Sequence, residues 1–373
     1  MGYTKNIWAI YNPELSDEDQ PDAFITKEKL DHVEEGLEQV YNLVESIPTN
    51  LQADPEYSLA EDNKKEMVEE VLNTFKTVPY FNEEANVVAA CGLHVFIEAA
   101  EEGKIKIAWN RDDKGNEEYI IVPEGVKVFG GGVSADRKEY YPATCITLNS
   151  GYVDLIGGGC YGNGCVGYAT VIVNGGSFKQ GVCGGGMHWG SKNAHDNNVG
   201  HAEVIINGFD GKATLLYGGN SSGVCTVGTT KLIFNDGDVD FLTAGGSNGY
   251  TGKAEVIVNG GNIKVLQGCN RGAVDNIKIT VNGGTVERLY AGGETEDKSV
   301  TATYTKSEVI LNGGDIKSAT VGTNGGVVDA TNVFGKYAEN VITEDVANAM
   351  NLVKTYTIES LMEKISDLES IIS

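Results

Sequence analysis

Three aspartates at alternate positions, Asp236, Asp238 and Asp240, form the densest local cluster of groups in this chain that could do acid–base work. Glycoside hydrolysis needs two carboxyl groups at a fixed separation, one of them protonated. Arg271 and Arg288 could serve a lyase, but no acidic calcium cluster accompanies them in the sequence. Cys160, Cys165 and His188 are of metal-ligand type, yet their spacing matches no zinc pattern. Recognition of sugars suits the residue types better. Met187, His188 and Trp189 stand close to Asn193, His195, Asp196 and Asn197, and Tyr161 stands beside Asn163. Aromatic faces stack on pyranose rings, while Asn and Asp bond hydroxyls. Tyr161, His188, Trp189, His195, Tyr217 and Tyr250 are therefore the ligand-binding candidates, with no catalytic set, metal or cofactor assigned.

The elements that must position these groups repeat. Seven times an apolar triplet leads into an asparagine, one or two glycines and a second apolar stretch, anchored at Asn149, Asn174, Asn207, Asn235, Asn259, Asn282 and Asn312. Self-similarity at such a period means a stacked architecture. Each copy reads as two short strands separated by a corner, with Asn and Gly supplying residues that tolerate positive φ. Such a coil cannot bury its own apolar face, but stacking copies about 4.8 Å apart does so. The expected fold is mainly β: a right-handed parallel β-helix or related β-solenoid of about seven to eight coils.

Aligned columns refine this. The residues three and one before each anchor (Val256 and Val258 in the copy at Asn259) should face the interior, because alternate residues share a face. Four before the anchor, Glu203, Lys231, Glu255, Lys278 and Glu308 alternate in sign, which favours in-register pairing. Two before it, Ile172, Ile205, Ile233, Ile257 and Ile310 make an outward apolar stripe, which suggests cover by another chain or by loops folding over it. Asp240 falls in a column with Asp154, Lys179, Lys212, Lys264, Glu287 and Lys317, a mixed-sign pattern that reads as a solvated face rather than a catalytic dyad. Asp236 takes a corner position. Loops of differing length follow the second strand at 160–168, 187–201, 220–230, 247–252 and 294–305. They should gather on one edge, where recognition usually resides. The plainer role for Trp189 is to cap its loop against the solenoid.

The flanks have another pattern. Leu30, Val33, Leu37, Val40, Val44 and Ile47 recur at alternating spacings of three and four, a heptad seam on a charged helix with Thr26 as N-cap. Ile358, Leu361, Ile365, Leu368 and Ile372 show the same spacing. Each seam suits either self-association or packing on its own chain. The two disagree about strand number: Ile at a with Leu at d favours two strands, the reverse more. Between them, Lys104–Trp109 and Glu118–Val122 read as a hairpin around the turn at Asp112–Asn116. The expected domains are a stem at 1–50, a mixed α/β shoulder at 51–123, a β-solenoid at 124–335 and a C-terminal coiled-coil helix at 336–373. A net charge of −25 argues against a nucleic-acid partner. No run approaches transmembrane length, and no signal peptide is recognisable. Seven cysteines, an odd number without a signal, are expected to be packed thiols made in a reducing compartment.

The opening carries a resemblance. Tyr3, Thr4 and Trp8, then Ile25, Thr26, Leu30, Glu34 and Gly36, resemble the N-terminal segment of minor structural proteins and fibres of tailed bacteriophages of Gram-positive hosts. The resemblance covers roughly the first fifty residues, departing at the acidic insert Ser16–Gln20 and at Asp31, where the family usually carries asparagine. It implies a homotrimer attached to the virion through this segment, with a β-rich distal part touching the host. The resulting expectation is a non-enzymatic tail or head fibre that assembles in the host cytoplasm and binds host-surface glycan. The alternatives are a glycan-degrading tail spike and a purely structural or decorating virion protein.

Overall fold

The computed structural model describes residues 78–134, 140–187, 197–221, 225–247, 249–293, 303–322, 332–356, 360–362 and 365. The seam residues Leu30, Val33, Leu37, Val40, Val44, Ile47, Ile358 and Leu368 lie outside the described residues, as do His188, Trp189 and His195 and the whole segment carrying the phage resemblance.

The chain is mainly β and winds as a β-solenoid of about seven turns. One sheet stacks the long strands in parallel: Tyr140–Leu148, Gly164–Val173, Asn197–Ile206, Thr226–Phe234, Tyr250–Val258, Ala273–Val281, Thr303–Leu311, Val333–Ala338 and Leu352–Thr355. A second sheet stacks the shorter ones: Lys127–Phe129, Tyr152–Gly157, Ser177–Cys183, Lys212–Tyr217, Asp238–Thr243, Asn262–Cys269 and Thr285–Gly293. Register follows the anchors. Ile146, Val171, Val204, Leu232, Val256, Ile279 and Val309 stack as one column, and Leu148, Val173, Ile206, Phe234, Val258, Val281 and Leu311 as another. Every one of these side chains has no exposed surface, as the alternation predicts. Fully burying a Val, Leu or Ile contributes about 1.5–3 kcal/mol, so these two columns form much of the core.

The shorter strands do not alternate strictly. Val153 and Ile156, Val239 and Leu242, Ile263 and Leu266, and Val286 and Leu289 are buried in pairs three residues apart. Two inward side chains at that spacing require the strand to bend between them. In the last coil the bend divides it outright into Asp315–Ile316 and Ala319–Thr320, both pairing with Thr285–Gly293. The third coil has four corner residues, Gly208–Gly211, where the others have two, so Lys212 pairs with Asp238 and not, as the column alignment implied, with Asp240. Phe209 from that insertion packs edge-on against Phe178, ring centroids 5.5 Å apart.

The two corners work differently. At the asparagine corner the left-handed φ falls on the second glycine, as at Gly261 (φ 75°), and not on the anchors themselves. At the opposite corner glycine backbones stack directly, Gly158 N–H donating to Cys183 O at 3.0 Å and Gly184 N–H to Tyr217 O at 2.9 Å. A Cβ on Gly184 would sit 2.2 Å from Gly218 O and 3.0 Å from Ala202 Cβ. The sheets converge there, and the facing column is small through Thr144, Ala169, Ala202, Thr230 and Ala254, with Ile277 opposite Gly268 the large exception before Ser307. The Thr144 and Thr230 hydroxyls donate to Gly158 O and Ala244 O, each at 2.7 Å.

Both ends are covered. At one, His94–Ala99, Lys104–Trp109 and Glu118–Pro123 run antiparallel and bury Ile97, Ile105, Ile107, Trp109 and Val122; Tyr80–Asn82 pairs antiparallel with Val87–Ala89 in the other sheet. At the other end the helix Glu344–Ala349, capped by Thr343 Oγ1 on Val346 N–H, buries Ala347 and Met350. Strands on both sides of the expected boundaries at 123 and 335 thus belong to the same two sheets. The tail expected to be one helix holds the strands Val333–Ala338 and Leu352–Thr355, with helical backbone at 360–362 and 365.

Candidate functional site

Among the described residues, the outward face of the long-strand sheet is an organised surface on which three columns run side by side along the stack. The first is the anchors themselves. Asn174, Asn207, Asn235, Asn259, Asn282 and Asn312 each donate Nδ2–H to the Oδ1 of the anchor one coil below, at 2.7 to 3.1 Å. The bottom anchor, Asn149, donates to Glu98 Oε1 at 3.4 Å. A carboxylate accepts only, so it sets the direction of the whole ladder.

The second column is the isoleucine stripe. Ile172, Ile205, Ile233, Ile257 and Ile310 stack with Thr147 and Thr280, each isoleucine half-buried. Register carries the stripe on to Lys336 and then Val353, which is 69% exposed. The third is the charge column. Lys231 lies 3.4 Å from Glu203 and Lys278 2.9 Å from Glu255, and the Glu255 hydrogen bond raises the Lys278 pKa.

Aromatic side chains border this face. Tyr168 is 37% exposed, stacks on His201 with centroids 4.5 Å apart and donates its hydroxyl to Glu203 at 3.4 Å. His201 Nδ1 lies 2.5 Å from Thr229 Oγ1, and burial holds its pKa below the ordinary imidazole value. Tyr250, expected as a binding residue, is 40% exposed and donates to Asp275 Oδ2. Tyr140 shares its column, linked through Cys165, Asn198 and Thr226. Tyr140 and Tyr168 were missed by the sequence reading. The signal that could have found them is position: each sits on a long strand ahead of the triplet used for alignment.

Tyr161 and Tyr217 are not available as expected. Both are buried in one cluster with Phe129, Leu155 and Cys183. The segment taken for a loop after Cys160 instead pairs as strand, Tyr161 with Val133, which folds the Tyr161 ring to 5.1 Å from Phe129. The Tyr217 hydroxyl accepts from Asn270 Nδ2 at 3.3 Å. These two tyrosines therefore come together in one packed cluster, of which Tyr250 is not a member.

The aspartates are engaged separately. Asp240 sits between Lys212 at 2.8 Å and Lys264 at 3.8 Å. Asp236 Oδ1 accepts from Gly237 N–H at 2.8 Å, the turn role its position implied. Asp154 is buried, accepting from Gln180 Nε2 at 2.8 Å with Lys127 at 3.8 Å. Cys160 packs with Val166, Ala169 and Val199. None of the seven cysteines forms a disulfide. Burial pushes the Cys183 and Cys269 thiols up to about 12 and the Cys225 thiol up to about 11. Among the described residues no three or more His, Cys, Asp or Glu side chains gather as metal ligands, and no described helix is long and apolar enough to cross a membrane. Comparison with protein families, with curated proteins and with solved structures finds no match to this chain.

Proposed function

We propose that this chain is a non-enzymatic virion fibre or appendage protein, a parallel homotrimer with right-handed coils. Its N-terminal segment joins other virion proteins, and its exposed aromatics bind host-surface glycan. Nucleic acid and membrane are not partners in this reading. The observation that carries it is the isoleucine stripe, an apolar band along the outward face of an otherwise polar sheet, beside a charge column of alternating sign. An apolar band of this kind marks an interaction site. The residues of the C-terminal seam that are described agree: Leu361 is 44% and Ile365 54% exposed in the single chain. The resemblance of the first fifty residues supplies the virion context.

Recognition rather than cleavage fits the carboxylates described above, since Asp236, Asp240 and Asp154 each have their own partners. Tyr250, Tyr168 and Tyr140 on the stack, together with Trp189, His188 and His195 of the 187–201 segment, are the groups assigned to the glycan. Light scattering on the purified full-length chain tests the assembly: a particle of three times 39.7 kDa is expected, and a concentration-independent monomer overturns it. Replacing Ile205, Ile233 and Ile257 with Lys should break the trimer while leaving the far-UV spectrum of the coils intact. Saturable binding to Gram-positive wall polysaccharide is expected without release of reducing ends or unsaturated products. Such release would favour the tail-spike alternative, and absence of binding the purely structural one.

A further inference from the structure

Five of the seven anchors, Asn174, Asn207, Asn259, Asn282 and Asn312, are followed directly by glycine. Asparagine before glycine is the pair most prone to lose its side-chain amide, because no Cβ shields the glycine nitrogen. In that reaction the glycine nitrogen attacks the asparagine Cγ and a C–N bond forms. The Cγ–Nδ2 bond breaks, and Nδ2 takes the proton released by the backbone nitrogen and leaves as ammonia. Water then opens the cyclic imide to aspartate or isoaspartate. The net change is amide plus water to carboxylic acid plus ammonia. An exposed stack of such pairs should be a chemical liability.

We infer that the asparagine ladder suppresses deamidation at these anchors, and that Asn312 is the site at which the protection fails. Attack needs the carboxamide to swing its carbon onto the glycine nitrogen. Asn174, Asn207, Asn259 and Asn282 are each held twice, donating to the anchor below and accepting from the anchor above. Asn312 donates to Asn282 at 2.8 Å, but among the described residues no group donates to its Oδ1. It is the last rung. One hydrogen bond fewer is worth about a tenfold difference in how often the amide leaves the ladder. The product propagates the damage: an aspartate at any rung has no N–H to donate downward and releases its lower neighbour.

The test is peptide mapping by mass spectrometry of the full-length chain held in mildly alkaline buffer, folded and in denaturant. In denaturant the five Asn-Gly sites should convert at similar rates. In the folded protein Asn312 should convert about tenfold faster than Asn207 or Asn259. Equal rates at all five folded sites, or conversion of Asn207 and Asn259 as fast as in denaturant, overturns the inference. Asn282→Ala makes Asn259 a new last rung, and Asn259 should then rise towards the Asn312 rate. If Asn259 stays slow in that variant, fraying at the chain end and not the ladder sets the Asn312 rate, and the inference fails. Asn207→Ala, which exposes Asn174 in the same way, replaces it if Asn282→Ala does not fold.

Discussion

Single residues in a stack of this kind matter through what lies directly above and below them. Asn207 and Gly184 occupy the two corners of neighbouring coils and should fail in different ways. Asn207→Ala removes two exposed side-chain bonds and leaves Asn174 and Asn235 half-satisfied; denaturant unfolding should show a loss of about 1–2 kcal/mol. Gly184→Ala forces a methyl against the carbonyl of Gly218, a residue whose own N–H is bonded to Thr243 O in the next coil. The backbone cannot yield without breaking the next coil, so a loss of about 3 kcal/mol or non-folding is expected. A glycine variant no worse than the asparagine one would show that the corner has slack. The sequence revealed the repeat of both residue types but not this contrast. Asparagine was legible only as a turn former, because its partners lie 23 to 33 residues away in the chain. Tyr161 misled for the complementary reason: a Gly-Asn-Gly context signals a loop, and only neighbouring coils reveal that it pairs as strand.

Among the elements, the antiparallel cap depends most on charge. Lys106 and Arg111 each bridge Glu98 and Glu117 at 2.7 to 2.9 Å, and Arg111 also lies over the Phe96 ring at 4.4 Å. The hydrogen bonds from Lys106, and then those from Arg111, hold both glutamates below the usual carboxylate range. A carboxylate with a depressed pKa contributes stability above its unfolded value of about 4.3 and loses it as the pH falls through the lower folded value. Acidification should therefore open the 94–123 region ahead of the central coils. Hydrogen exchange at falling pH checks this, with early loss of protection confined to those amides; simultaneous loss in the Thr226–Phe234 strand would contradict it. Glu98→Gln should blunt the acid step. The hairpin itself was readable from its alternation and its turn at Asp112–Asn116. The bend in the shorter strands was not, since Val265 and Lys264 look like ordinary members of an alternating run. Only the buried pair Ile263 and Leu266 reveals the change of direction.

For the whole molecule, stability should be close to a sum over coils and their nearest-neighbour contacts. Deleting residues 236–259 removes one complete coil, joins Asn235 to Gly260 and restores an Asn-Gly-Gly corner with the ladder closed between Asn235 and Asn282. The shortened chain should fold, with a smaller unfolding free energy and an unchanged strand signature by circular dichroism; a molten product would mean that coils are not interchangeable. The sequence made the stack legible because periodic glycine and asparagine recur whatever loops intervene. It left the caps obscure, because each occurs once and no column repeats them. Those caps have a consequence for size. In-register parallel strands with asparagine ladders are also what a cross-β fibril uses to recruit the next chain. Here one end turns back on itself to finish in the strand Glu118–Pro123, which begins on a charge and ends on a proline, while the other carries the four-residue strand Leu352–Thr355 after a helix. Growth is thus confined to insertions between the caps, each adding about 4.8 Å of height. The body works as a ruler, its length counted in asparagines.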